Sequence, residues 1–302
     1  MAAETQPLTT SYHENRVGDN AIAILGSVHG GLHIPNNSHR EPCLRALGAS
    51  DPRVEKDRIE MDKDKLMKQC YTWILDNSDF RRWRDSKQSR LLWIKGDPGK
   101  GKTMMMIALA EELSSESKPR SFKQMARQLT SKLKPCLVSY FFCQSTDSRL
   151  NNATSVLKGL IHLLASQGKS LARHIRKRYD EGGAGVFEGP NALYTLRLIL
   201  RDIINDSALS RTYLLVDALD ECNEGLQQLL DTITDERITM KSKVKWLVAS
   251  RNRPDIAERL RPDDAHIKVS LEMNAEHVAR AVNAFIDAKC KSSLSRSSMI
   301  WR

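Results

Sequence analysis

The sequence predicts an α/β fold, a three-layer sandwich around a mostly parallel five-stranded sheet, and three observations carry that prediction. Five short apolar runs have strand length, the segments between them place apolar residues at helical spacing, and the first run empties into a glycine-rich loop that opens a helix. Strands that alternate with helices pair in parallel through right-handed crossovers, which puts helices on both faces of the sheet.

Taken in order, residues 1 to about 50 are rich in Gly, Asn, Ser, His and Pro and read as a flexible N-terminal tail. Within it, Asp19 to Gly31 combines apolar alternation around Ala21 to Leu25, an Asn, glycine turns and low charge. Those features suit an amyloid-like cross-β strand, and they suit equally a disordered tail with one sticky patch. From Asp51 the character changes: Ile59, Leu66, Cys70, Trp73 and Ile74 recur at helical spacing among charges, predicting a docked amphipathic helix over about Asp57 to Asp76. The predicted strands are Leu91 to Lys95, Leu137 to Cys143, Tyr213 to Asp217, Val244 to Ala249 and His266 to Val269. Between them, Val156, Leu157, Leu160, Ile161 and Leu164 share one helical face, and Leu193, Leu196, Leu200 and Ile203 share another. A last helix around Ala275 to Ala288 carries Val278, Val282, Phe285 and Ile286, and the Ser- and Lys-rich end, residues 291–302, reads as a disordered tail.

Composition narrows the function classes. The chain has 302 residues, 40% hydrophobic and 28% charged, which is ordinary for a soluble globular protein. No apolar run approaches the ~20 residues a membrane helix needs, and the N-terminus lacks the pattern of a secretory signal. The six cysteines show no C-x-x-C pairing, so reduced thiols and a cytoplasmic location are expected. The net charge of +10 raises the question of nucleic acid. From Ser117 to Thr146 there is no Asp or Glu, while Lys118, Arg120, Lys123, Arg127, Lys132 and Lys134 fall there with Phe122 alone among them. A solvated helix face or an insertion accounts for that run, and a nucleic-acid partner is not expected.

The chemistry begins after the first strand. Gly96-Asp97-Pro98-Gly99-Lys100-Gly101-Lys102-Thr103 is G-x-x-x-x-G-K-T in its required context, a strand before and a helix (Met104 to Leu113) after. Glycines let the backbone wrap closely so that successive N–H groups point at phosphate oxygens, and the helix adds its positive end. Lys102 is expected to reach the β- and γ-phosphates of a nucleotide and the Thr103 hydroxyl to ligate Mg²⁺. Such a motif arises by chance in about one chain in a hundred, and the flanking elements cut that further.

A second strand supplies the acid that a phosphate loop needs. Tyr213 to Val216 ends in Asp217, placed to hold Mg²⁺ directly or through water, and Asp220 and Glu221 follow closely enough for one of them to polarise an attacking water. The alternative is that Asp220 and Glu221 merely begin a helix. The fourth strand runs into Ser250-Arg251-Asn252-Arg253, and a cation there lies at the ligand edge of such a sheet. Arg251 is the candidate γ-phosphate sensor, with Arg253 as the second choice and an ordinary basic loop as the plain alternative.

Together the strand–GDPGKGKT–helix unit, Tyr140 to Gln144 (YFFCQ), Leu214 to Cys222 (LLVDALDEC) and the strand ending in Ser250-Arg251 resemble the NACHT domain of fungal NOD-like receptors. These are signal-transducing NTPases of the STAND type, of the kind involved in heterokaryon incompatibility. Asp51-Pro52-Arg53 and Trp73 to Asp76 through Phe80 to Trp83 are similar to the helical lead-in of that domain. The resemblance implies a P-loop NTPase sandwich over 87–290, a helical lead-in over 51–86, and a sensor strand lying between the phosphate-loop strand and the magnesium strand. It also implies a switch: closed with a diphosphate, open for homo-oligomerisation after exchange, and signalling to a downstream effector through the tail. Ala218 stands where many animal relatives have Gly. The family continues into a winged helix with a sensing histidine and an array of repeats that this sequence lacks, which implies a fragment, a truncated product or a module without its own sensor.

The leading expectation is therefore a signalling switch that binds Mg-ATP or Mg-GTP and hydrolyses it slowly; the motifs do not choose between the bases. A P-loop kinase acting on a small molecule and a non-catalytic nucleotide-binding adaptor are the competing readings.

Overall fold

In a computed structural model the described residues are 40–63, 71–115, 136–168, 170–235, 243–261 and 266–283, with 286 and 290. They fall within the compact unit 38–302. The tail motif at Asp19 to Gly31, most of the basic run from Ser117, and the end at 291–302 lie outside the described residues.

Five strands form one wholly parallel sheet: β1 (Leu91–Lys95), β2 (Leu137–Phe142), β3 (Thr212–Asp217), β4 (Val244–Ser250) and β5 (His266–Ser270), in the order β2-β3-β4-β1-β5. Each begins and ends within a residue of its expected position. The reason is legible: a parallel strand covered on both faces must be apolar throughout, so its run stands out from polar surroundings. β4 is buried at all seven positions and β3 at all six.

Alternation sorts these strands onto two cores. Trp93, Leu214, Val216, Trp246 and Val248 point to one face, against α6 (Ala153–Gln167), α8 (Ala192–Ile204) and α9 (Leu226–Thr234). Leu92, Ile94, Tyr213, Leu215, Leu247 and Ala249 point to the other, against α5 (Lys102–Ser115), α3 (Thr72–Asp76) and α4 (Ser78–Asp85). Among the described residues, α7 (Ala172–Gly182) and α10 (Pro254–Arg259) are the remaining α-helices between strands. The order places β4 between β3 and β1, as the resemblance implied, so the carboxyl ends of the phosphate-loop strand, the acidic strand and the arginine strand lie side by side.

Three expectations are corrected. The lead-in is not one helix over Asp57 to Asp76: α2 spans Pro52–Lys63, and α3, Thr72–Asp76, starts anew after a turn at Tyr71 and is capped by Asn77. Proline is favoured in a helix's first turn, and Asn77, extended, accepts with Oδ1 from the Asp79 and Phe80 amides and so caps α4. Apolar spacing merged these helices because Ile59 and Ile74 are both buried. The packed fold also begins before residue 51: α1 (Arg40–Ala46) sends Cys43 and the following Leu47, 1% and 0% exposed, into the first core. On the last helix, helical over 275–283, Val278 packs inward whereas Val282 and Ile286 are 48% and 50% exposed. Phe285 lies outside the described residues.

Candidate functional site

The phosphate loop leaves β1 at Gly96, which is buried beneath Leu271, and then runs exposed from Asp97 to Gly101 before α5 begins at Lys102. Gly99 and Gly101 have φ of 76° and 77°, and a Cβ added at either would meet no atom within 4 Å. A left-handed backbone with open space on its inner side is what a loop needs to aim successive amides at an anion. Lys102 folds back over the loop, its Nζ donating to the Gly96 carbonyl and to the Asp97 carbonyl at 2.8 Å. Burial lowers its pKa, against the opposing pull of Asp220 and Asp217. The ammonium therefore sits in the field of the acids that close the neighbouring strand.

Asp217 ends β3, 2% exposed, and its carbonyl accepts from the Cys143 amide at 3.1 Å. Ala218 then turns the chain in the left-handed region, φ 51°, and a short 3₁₀ turn, Leu219–Glu221, presents the two acids. Asp220 is engaged on all sides. Its Oδ1 accepts from the Arg251 amide at 2.8 Å, its Oδ2 is 3.2 Å from Arg251 Nε, and its carbonyl accepts from Arg253 Nη1 at 3.0 Å. Glu221 is held more loosely: one oxygen accepts from the Ser145 amide at 2.9 Å and the other is 3.6 Å from Arg251 Nη2. The side chain of Asp220 is 5% exposed and that of Glu221 26%. Asp220 thus has closer and more numerous partners than Glu221, and this geometry separates two acids that the sequence left equivalent.

The arginines divide too. Arg253 is clamped by Asp255, with Nη2 and Oδ2 2.7 Å apart, while Arg251 is half exposed at the carboxyl edge of β4. Ser250, the last residue of β4, ties this edge to β1: its hydroxyl accepts from Trp93 Nε1 at 2.9 Å and donates to the Arg251 carbonyl, and its carbonyl accepts from the Gly96 amide at 3.2 Å. Sequence reasoning missed Ser250 and also Glu272, whose carboxylate reaches the Asp97 amide at 2.7 Å. No spacing rule would have found them, since their partners, Trp93 and the Arg251 carbonyl for one and the Asp97 amide for the other, are distant in sequence or on the backbone.

No group of three or more His, Cys, Asp or Glu side chains among the described residues forms a ready-made metal site. The oxygen donors at this edge, the Thr103 hydroxyl and the Asp217 carboxylate, fit Mg²⁺, which keeps several waters and is shared with substrate phosphates instead of being caged by protein. No helix among the described residues is long and apolar enough to cross a membrane.

A glycine loop joining a strand to a helix, with an acid ending the next strand but one in the sheet, defines the class: a P-loop module of the α/β type. The sequence matches the family described as Nephrocystin 3, N-terminal, over residues 69–251, well over half the chain, and the protein belongs to that family. It is 48% identical over 244 residues to vegetative incompatibility protein HET-E-1 of Podospora anserina, which bears out the resemblance to the fungal NACHT domain. That alignment spans 81% of this chain but 17% of the relative. Among solved structures, the Drosophila ORC bound to DNA aligns over 87% of this chain and 56% of its own, at 14% identity and a TM-score of 0.37. C. elegans PCH-2 aligns over 78% and 47%, at 15% identity and a TM-score of 0.29.

Proposed function

We propose that the chain is the nucleotide-controlled switch of an incompatibility-type signalling protein, binding Mg-ATP or Mg-GTP in the loop 96–103 and hydrolysing it slowly. The observation that supports this reading best is the open glycine cradle over Lys102, backed by acids and an arginine brought to the same sheet edge by three adjacent strands.

In this reading the amides of Gly99 to Thr103 and the α5 N-terminus hold the polyphosphate, and Lys102 turns from the loop carbonyls to the β- and γ-oxygens. Thr103 and Asp217 hold Mg²⁺, which when bound neutralises developing charge on the phosphates. Glu221 takes the proton of the attacking water, because its carboxylate is the less saturated of the two. Asp220 fixes Arg251 at the edge, where the guanidinium senses the γ-phosphate. Homo-oligomerisation, and an effector engaged through the N-terminal tail, belong to the same proposal, as does a cytoplasmic location.

Titration of the purified chain with fluorescent ATP and GTP analogues tests the reading. Lys102→Ala is expected to weaken binding about 10²-fold, since a charge-assisted contact to each of two phosphates is lost. Undetectable binding of both nucleotides to the wild-type chain would overturn it and favour a non-catalytic adaptor; phosphate transfer to a metabolite would favour a kinase.

A further inference from the structure

We propose that Glu272 is a coupling residue that ties the entrance of the phosphate loop to helix 275–283, so that filling the loop displaces that helix. The inference rests on the nucleotide-binding reading above. Glu272 lies in the turn between β5 and the helix. Its Oε1 accepts from the Asp97 amide at 2.7 Å, and its Oε2 accepts from the Ser270 hydroxyl at 2.7 Å. One residue earlier, the Leu271 amide donates to the Lys95 carbonyl at 2.9 Å, and Leu271 packs so closely on Gly96 that an added Cβ there would lie 3.0 Å from Leu271 Cβ. Lys95, Gly96 and Asp97 are thus matched residue by residue with Ser270, Leu271 and Glu272.

The peptide group between Gly96 and Asp97 makes this match a lever. Its carbonyl accepts from Lys102 Nζ, and its N–H donates to Glu272. A peptide group is planar and stiff, so tilting one end moves the other. When Lys102 leaves the Gly96 carbonyl for a phosphate, this peptide loses the donor that pins one end, and Glu272 carries its reorientation into the turn. Asp97 lies upstream of the amides that face an anion, so Glu272 reports on occupancy without competing for the site. Burial opposes ionisation of Glu272, but the Ser270 hydroxyl, backbone amides and Lys95 outweigh it and keep its pKa low, leaving a strong acceptor.

Beyond Glu272 the contacts continue without a gap. Asn274 Nδ2 donates to the Ser270 carbonyl at 2.8 Å, the His277 amide donates to the Asn274 carbonyl at 3.0 Å, and the His277 ring stacks on Trp73 of α3, centroids 5.4 Å apart and planes 14° from parallel. Trp73 is therefore a built-in reporter at the far end of the chain of contacts.

The whole chain, labelled with 5-fluorotryptophan and with the Trp73 resonance assigned through Trp73→Phe, is titrated with Mg-ATP and Mg-GTP while binding is followed with a fluorescent nucleotide. The wild-type Trp73 resonance is expected to shift on saturation. Glu272→Ala is expected to bind within about fivefold of wild type yet lose more than half of that shift, and Glu272→Gln, which keeps a carbonyl for the Asp97 amide, to restore it. A full shift in Glu272→Ala, or wild-type binding with no shift, overturns the coupling while leaving nucleotide binding intact; no binding by wild type overturns both. Should circular dichroism show Glu272→Ala unfolded, Glu272→Asp, one methylene short of the Asp97 amide, decides by the same readout.

Discussion

Arg251 and Asp220 are joined at two points, the Arg251 amide donating to Asp220 Oδ1 at 2.8 Å and Arg251 Nε lying 3.2 Å from Oδ2. One contact fixes where the chain leaves β4 and the other fixes where the guanidinium points. The two residues follow adjacent parallel strands, so the pair also clasps the carboxyl edge of the sheet beside the phosphate loop. The reactive groups of the proposed site are thereby divided between a closely held acid, a positioned cation and a second acid held more loosely.

That division predicts different phenotypes for two conservative changes. Glu221→Gln is expected to keep nucleotide affinity and lower turnover about 10²-fold, the usual yield of a general base. Asp220→Asn keeps an acceptor for the Arg251 amide but loses the ionic partner of Nε, so turnover is expected to fall about tenfold with a weakened preference for triphosphate over diphosphate. Single-turnover hydrolysis and paired affinity measurements separate the two; equal effects on turnover would remove the distinction between the acids.

The sheet was legible in the sequence because every strand is buried on both faces and stands out as a continuous apolar run, Val244 to Ser250 above all. The loop 96–103 was legible because its chemistry demands particular residue types at fixed spacing. What escaped was carried by backbone groups or by single side chains. Cys43 and Leu47 bury a helix in a segment whose composition is that of a tail. Asn77 splits the lead-in by capping, a role that apolar periodicity cannot register. Asp220 and Glu221 were adjacent and chemically alike in one dimension, and only their contacts tell them apart: Arg251 holds Asp220 through both its amide and Nε, whereas Glu221 takes the Ser145 amide and only a 3.6 Å contact to Arg251.

Ala218 sits between the metal-ligand candidate and the acidic turn with φ 51° and ψ 45°, the only non-glycine residue with positive φ among those described. An alanine there carries roughly 1 kcal/mol of strain, which glycine would relieve while gaining a similar amount of freedom in the unfolded chain. Ala218→Gly is therefore expected to change stability by less than about 0.5 kcal/mol, and Ala218→Val to cost about 2 kcal/mol, because a β-branched side chain tolerates this region worst. Urea denaturation of the three proteins checks it; a valine variant as stable as wild type would show that the turn relaxes out of this conformation.

Gly159 lets α6 lie close on β2. A Cβ at that position would come 2.5 Å from Phe141 Cδ2 and 3.0 Å from Pro52 Cγ, where α2 begins. Alanine would raise helix propensity by up to ~1 kcal/mol, but the contacts to a buried ring and a rigid proline ring cannot yield without moving the helix. Gly159→Ala is expected to be net destabilising by about 1–2 kcal/mol, read from the denaturation midpoint at unchanged m-value. A gain in stability would mean that helix and strand separate more easily than their packing indicates.

Lys245 offers a test of the junction between β4 and the lead-in. It is 5% exposed near the start of β4, the sheet's arginine strand, and its Nζ donates to the carbonyls of Trp83, Ser86 and Ser89, at and beyond the end of α4. Burial, with repulsion from Arg211 and Arg90, lowers it from its ordinary 10.5 to about 8. Between those values the unfolded chain holds a proton that the folded chain has released, so this residue makes stability rise with pH across the window. Lys245→Met keeps the apolar stem but orphans three carbonyls, at a cost of about 2–3 kcal/mol at pH 7. Because only the wild type titrates here, the stability difference between the two proteins is expected to widen from pH 8 toward pH 10, measured by urea denaturation at each pH; a constant or narrowing difference would show that the ammonium stays charged in its ring of carbonyls.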